Sequence, residues 1–105
     1  MKIPEKVKIG GLTYNVEITE KLDLGIANCS AEILYNDLII RVTPQAKEKM
    51  EADFWHEIVH GILSQLGYKQ HDEKRVEEMA QSLYALVKDN PEMFNADTST
   101  EGATQ

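Results

Sequence analysis

"FWHEIVHGIL", residues 54–63, carries two of the chain's three histidines. It is apolar at Phe54, Trp55, Ile58, Val59, Ile62 and Leu63, and the stripe continues to Leu66. That spacing predicts a helix with one wide buried face. His56 and His60 are four residues apart, so on a helix they differ by about 40° around the axis and about 6 Å along it. Two imidazoles placed in this way can close on one ion. Glu57 is rotated about 100° from His56. It can stand beside the ion without ligating it and take a proton from a water there. This is the mechanical content of an H-E-x-x-H pattern: two zinc ligands and a general base for hydrolysis. Gly61 follows at once and is expected to leave room beside the histidines.

The flanking residues delimit the helix. Thr43 suits an N-cap and Pro44 a first helical position, so the helix is predicted to start there. Gly67 is a natural stop. The stretch between reads as one long helix or as two pieces broken near residues 51–53. "YKQH", residues 68–71, is a short loop. Asp72 caps a last helix with Val76, Met79, Ala80, Leu83, Tyr84, Leu86 and Val87 on one face, and "DNP" at residues 89–91 ends it.

Upstream the period changes to two. "KVKIGGLTYNVEIT", residues 6–19, alternates apolar and polar on both sides of Gly10-Gly11, a hairpin signal. "AEILYNDLIIRV", residues 31–42, predicts a second hairpin with Asn36-Asp37 as a two-residue turn. Residues 38–42 form a nearly continuous apolar run, more buried than the first pair. The order predicts an α+β fold. A small, mainly antiparallel sheet of three to four strands is followed by an active-site helix and a second, glutamate-bearing helix, both packed on one face of the sheet.

The chain has 105 residues, 42% hydrophobic and 28% charged. That is one small domain, residues 1–94, with a polar disordered tail at 95–105. A net charge of −7 repels phosphate backbones, and no Lys/Arg run offsets it, so no nucleic-acid partner is expected. Cys29 is the sole cysteine, which excludes an intrachain disulfide and fits a reducing compartment. It reads as a small buried hydrophobe. The N-terminus lacks a secretory apolar core, and no apolar run approaches a membrane span, so a cytoplasmic protein with no membrane partner is expected.

Two histidines do not hold a zinc ion, so a third group must converge. The nearest set is His71, Asp72, Glu73, Glu77 and Glu78. From His60 to Gly67 the first helix advances about 10 Å, and from Asp72 to Glu77 the second returns about 7–8 Å. A helical hairpin so built brings Glu77 nearly level with His60. Glu77 also neighbours Ala80 and Tyr84 at the edge of the apolar face, whereas Glu78 falls on the solvated side. The expected metal set is therefore His56, His60 and Glu77, with Zn2+ as the cofactor. The other readings are a surface ion pair for Glu77 and His71 as the third ligand. Tyr68, Tyr84 and His71 are the nearest donors by sequence for a developing oxyanion, and packing is the plainer reading of both tyrosines.

"FWHEIVHGIL" followed by "VEEMAQSLY" at residues 76–84 resembles the short gluzincin-type zinc metallopeptidases, especially ImmA/IrrE-like domains and small phage-encoded H-E-x-x-H proteins. The resemblance covers residues 52–91. Residues 77–81 fit the family's E-x-x-A-N-like segment, with Gln81 in place of asparagine. It implies a minimal zincin-like domain, His56, His60 and Glu77 as ligands, and Glu57 as general base. It implies a protein or peptide substrate, a regulatory protein for instance, held as an added strand on the sheet edge near residues 38–42. The expected activity is peptide-bond hydrolysis by a metal-activated water. The alternative is a non-catalytic, zinc-stabilised protein-binding module, such as a phage accessory protein. Glu57 speaks for the first, because a structural site has no use for an acid beside a water.

Overall fold

A computed structural model describes residues 1–24 and 29–94. The polar tail at 95–105 and the middle of the connecting loop at 25–28 lie outside the described residues. The elements are β1 (Lys6–Ile9), β2 (Leu12–Ile18), β3 (Ala31–Leu34), β4 (Ile39–Val42), α1 (Lys47–Gln65) and α2 (Glu73–Asp89), with a short 3-10 turn at Pro91–Met93. The fold is α+β: a four-stranded mixed sheet of order β1-β2-β4-β3, followed by two helices.

The first hairpin closes at Gly10-Gly11, whose φ angles of 59° and 89° lie in the left-handed region that glycine adopts without strain. The second hairpin differs from expectation. Leu34 pairs with Ile39, so residues 35–38 form a four-residue connection rather than a two-residue turn at Asn36-Asp37. Its last residue, Leu38, has φ 56° and turns its carbonyl to accept from Asn15 N at 2.9 Å. That bond opens the β2–β4 ladder, which is parallel, from Asn15 beside Ile39 to Ile18 beside Val42. The other two pairings are antiparallel.

The parallel pairing corrects one expectation. β4 lies inside the sheet with both sides occupied, so residues 38–42 offer no free edge for an added strand. Among the described residues the edge on that side of the sheet is β3.

α1 begins at Lys47, not at Thr43-Pro44. Thr43 N and Oγ1 both donate to the Ser30 carbonyl at 2.9 Å, which holds Thr43 in strand-like backbone beyond β4. The helix then runs unbroken through residues 51–53. Gly67, at φ 99°, ends it as expected: Gly67 N donates to Ser64 O and Tyr68 N to Leu63 O, both at 3.0 Å. The Asp72 carboxylate caps α2, accepting from Lys74 N at 3.0 Å and Arg75 N at 3.4 Å.

Helix α1 packs on the sheet, against β1, β3 and β4. Ile9, Tyr14, Ile33, Ile40 and Val42 from the strands meet Phe54 and Ile58 from the helix. Helix α2 packs on α1, with Val76 and Ala80 against Val59, and does not reach the sheet. The two helices are thus stacked layers rather than neighbours on one sheet face, and Met79 and Leu86 of the expected apolar stripe are exposed. Phe54, Ile58 and Val59 are nearly fully buried. Each such burial is worth roughly 1.5–3 kcal/mol, enough to fix the rotation of α1 and hence the direction of His56 and His60. Gly61 lets α1 approach the sheet. A Cβ there would lie 2.8 Å from Ile9 Cδ1 and 3.3 Å from Ile33 Cδ1, so the room it leaves is toward the sheet and not beside the histidines. Among the described residues no helix is long and apolar enough to cross a membrane.

Candidate metal centre

With Phe54, Ile58 and Val59 turned inward, His56 and His60 emerge along the seam between α1 and α2. They are partly buried, their rings 5.0 Å apart at 60°. The carboxylate that meets both is Glu73, in the first turn of α2. Glu73 Oε1 lies 3.1 Å from His56 Nε2, and Glu73 Oε2 lies 3.0 Å from His60 Nε2. One ligand atom from each of the three residues falls within 4.8 Å of the others. Glu77, expected in this role, stands one turn further along α2 and reaches His56 alone, at Nδ1, 2.8 Å away. Its second oxygen accepts from Gln81 Nε2 at 2.5 Å.

Both ring nitrogens of His56 face carboxylates, which only accept, so a neutral ring can donate to one of them. Glu77 at Nδ1 is the nearer, 2.8 Å against 3.1 Å for Glu73 at Nε2, and takes that hydrogen. The Nε2 of the neutral ring then presents a lone pair toward Glu73. Carboxylate oxygens and bare imidazole nitrogens facing each other at 3 Å repel unless positive charge lies among them. In the protein alone a proton supplies it. Burial works against charge on His56, but hydrogen bonds to Glu77 and Glu73 and the field of Glu57 outweigh it and raise its pKa. His60 goes the other way: burial outweighs Glu73 and lowers its pKa. A proton therefore answers the His56 contact better than the His60 contact, while one divalent cation answers both. Two imidazole nitrogens and one carboxylate oxygen are a donor set suited to zinc.

Glu57 is 7% exposed. Among the described residues nothing hydrogen-bonds its carboxyl. Burial lifts its pKa to about 7, partly opposed by nearby His56 and assisted by Glu73. It lines a cavity of about 480 Å³ together with His56, His60 and Glu73. The opposite wall is apolar, formed by Leu22, Leu24, Ala31, Ile33 and Tyr35. Buried Glu32 ties that wall in place, accepting from Asp23 N at 2.7 Å and Leu24 N at 2.8 Å.

The remaining expectations separate clearly. Tyr84 is packed, and its hydroxyl donates to Glu51 at 2.6 Å. Tyr68 is exposed, with its carbonyl toward His71 Nε2 at 2.8 Å. Both ring nitrogens of His71 are engaged, the other with His60 Nδ1 at 2.7 Å. Cys29 is exposed rather than buried, at the rim of the cavity. Trp55 bridges the two apolar clusters as an anchor.

Two residues of the site were not singled out from the sequence. Glu73 was one of five candidates, and its signal was its position four residues before Glu77 on the same helix face. Tyr35 carried no sequence signal, because its place depends on β3 lying beside α1. Burial, with the charge of Glu57, raises its hydroxyl to about 12, so it remains an O–H donor at the cavity wall.

No protein-family model, curated protein or solved structure matches the chain.

Proposed function

We propose that this protein is a zinc-dependent peptidase in which His56, His60 and Glu73 hold the ion and Glu57 is the general base. The observation that carries the reading is the meeting of three ligand atoms within 4.8 Å, beside a buried carboxyl without a hydrogen-bond partner among the described residues. The donor set fits zinc. Zinc bound there supplies Lewis acidity toward water and carbonyl groups at neutral pH.

The chain's own residues supply the rest. Glu57, with a pKa of about 7, both takes and returns a proton near neutrality, the property wanted of a group that deprotonates water and then protonates a leaving amine. Glu77 holds His56 in the orientation that turns Nε2 to the cluster. Tyr35 offers an O–H to a substrate oxygen. The free backbone of edge strand β3 suits an extended peptide, and the apolar wall suits an aliphatic or aromatic side chain next to the bond cut.

The test is hydrolysis of a mixed peptide library by zinc-loaded protein, read by mass spectrometry. Cleavage is expected to stop on chelation, to return with zinc, and to be lost in Glu57→Gln at unchanged zinc content. Equal cleavage by Glu57→Gln contradicts the role of Glu57. Tight zinc binding with no cleavage of any peptide contradicts the peptidase reading and favours a non-catalytic binding module.

A further inference from the structure

His71 belongs to neither helix. It sits in the connection between α1 and α2, and its ring lies beside that of His60, with centroids 5.0 Å apart and planes at 24°. Its Nε2 lies 2.8 Å from the Tyr68 carbonyl oxygen, and its Nδ1 lies 2.7 Å from His60 Nδ1. A carbonyl only accepts, so His71 Nε2–H donates to Tyr68. His60 Nε2 faces Glu73 at 3.0 Å. A cation that takes the lone pair of that nitrogen leaves the ring hydrogen of His60 on Nδ1, which then donates to His71 Nδ1.

We propose that His71 is a positioning residue for the metal centre: it locks His60 in the Nδ1–H tautomer and aims its Nε2 at the cation. This rests on the reading of His56, His60 and Glu73 as a metal site. The two histidine ligands are then oriented by different chemistry, His56 by a carboxylate on α2 and His60 by a second imidazole on the connection.

The fold makes the connection stiff enough for this. Gly67 closes α1 with two backbone hydrogen bonds, Gly67 N to Ser64 O and Tyr68 N to Leu63 O. That turn sets the Tyr68 peptide whose carbonyl receives His71. One residue beyond His71, Asp72 caps α2 with two more. His71 is thus held between two capped helix ends. His71 is not among the three residues whose ligand atoms lie within 4.8 Å of one another, which separates this role from that of a ligand.

Two measurements test the proposal. Long-range 1H–15N spectra of the imidazoles, taken on zinc-loaded protein at pH 8, are expected to show hydrogen on His60 Nδ1. They are expected to show His71 unligated when zinc is bound. Zinc affinity by chelator competition is expected to fall roughly 10- to 100-fold in His71→Leu, the usual effect of losing an outer partner of a ligand. His71→Asn, whose side-chain oxygen can still accept from His60, is expected to recover most of that loss. A zinc-bound His60 without hydrogen on Nδ1, zinc bound directly to His71, or wild-type zinc affinity in a folded His71→Leu would each overturn it. The spectra need no variant to fold. The two readings also fail separately: a wild-type chain that binds no zinc sinks the metal reading, whereas zinc bound to His56, His60 and Glu73 with unchanged affinity in His71→Leu sinks this one alone.

Discussion

Glu51 and Glu57 lie on the same helix, and both are buried, at 4% and 7% exposure. Their surroundings differ. The Tyr84 hydroxyl donates to Glu51 at 2.6 Å, across the seam from α2. Glu57 has no such donor among the described residues, and burial pushes its pKa to about 7. A buried carboxyl is expensive unless something is paired with it. At the Glu51 end of the seam the fold provides the partner, and the pair serves to hold the helices together. At the Glu57 end no described residue does, and one turn away three lone-pair donors point at one another. One end is a finished structural contact. The other leaves a carboxyl lining the cavity with no partner among the described residues.

The largest effects belong to the proposed ligands. His60→Ala is expected to weaken zinc binding by more than about 100-fold, beyond what loss of an outer partner costs. Glu73→Gln should do the same, whereas Glu77→Gln should cost about 10- to 100-fold, because Glu77 orients His56 rather than facing the cluster. Chelator competition measures all three. A Glu77→Gln loss larger than that of Glu73→Gln would make Glu77 the third ligand. Glu51→Gln is the control from the other end, with zinc affinity unchanged.

Next in size is turnover. Glu57→Gln is expected to lower kcat by about 10²- to 10⁴-fold, the usual range for a general base, at full zinc content. Stability gives the smaller effect, and the two ends should move in opposite directions. The Glu57 pKa rises from 4.5 to about 7 on folding, so between those pH values the native state binds more protons than the unfolded chain. Stability of the metal-free protein therefore falls as pH rises through that window, and the loss is complete above pH 7. Glu57→Gln should then raise stability at pH 8 by ~1–3 kcal/mol and change it little at pH 4. Tyr84→Phe removes the donor to Glu51 and should lower stability by ~1–3 kcal/mol at pH 8. Urea unfolding at the two pH values reads both. The same sign at both ends would break the comparison.

The sequence showed what is local. Period two around Gly10-Gly11 located the first hairpin, and period 3.6 through residues 54–66 gave α1 and the facing of His56, Glu57 and His60. Gly67 and Asp72 marked two helix ends through their cap chemistry. What it did not show is set by distant partners. The β2–β4 pairing joins segments separated by β3, so no local pattern records that it is parallel. Thr43 carries a fair N-cap signal, but Ser30, thirteen residues away, claims both its N–H and its hydroxyl. Glu73 and Glu77 share one helix face, and which of them lies level with the histidines depends on how tightly the connection turns. A one-turn difference is below what counting helical rise resolves.

The central claim is that one divalent cation sits among His56, His60 and Glu73. Its most direct test is metal analysis of protein purified without chelators, joined to zinc-edge X-ray absorption. The expected result is one zinc per chain, with two imidazole nitrogens at about 2.0–2.1 Å and oxygen completing the shell, and loss of the ion in a His56→Ala, His60→Ala double variant. A chain that binds no zinc at saturating concentration, or a double variant that keeps the ion, would contradict it.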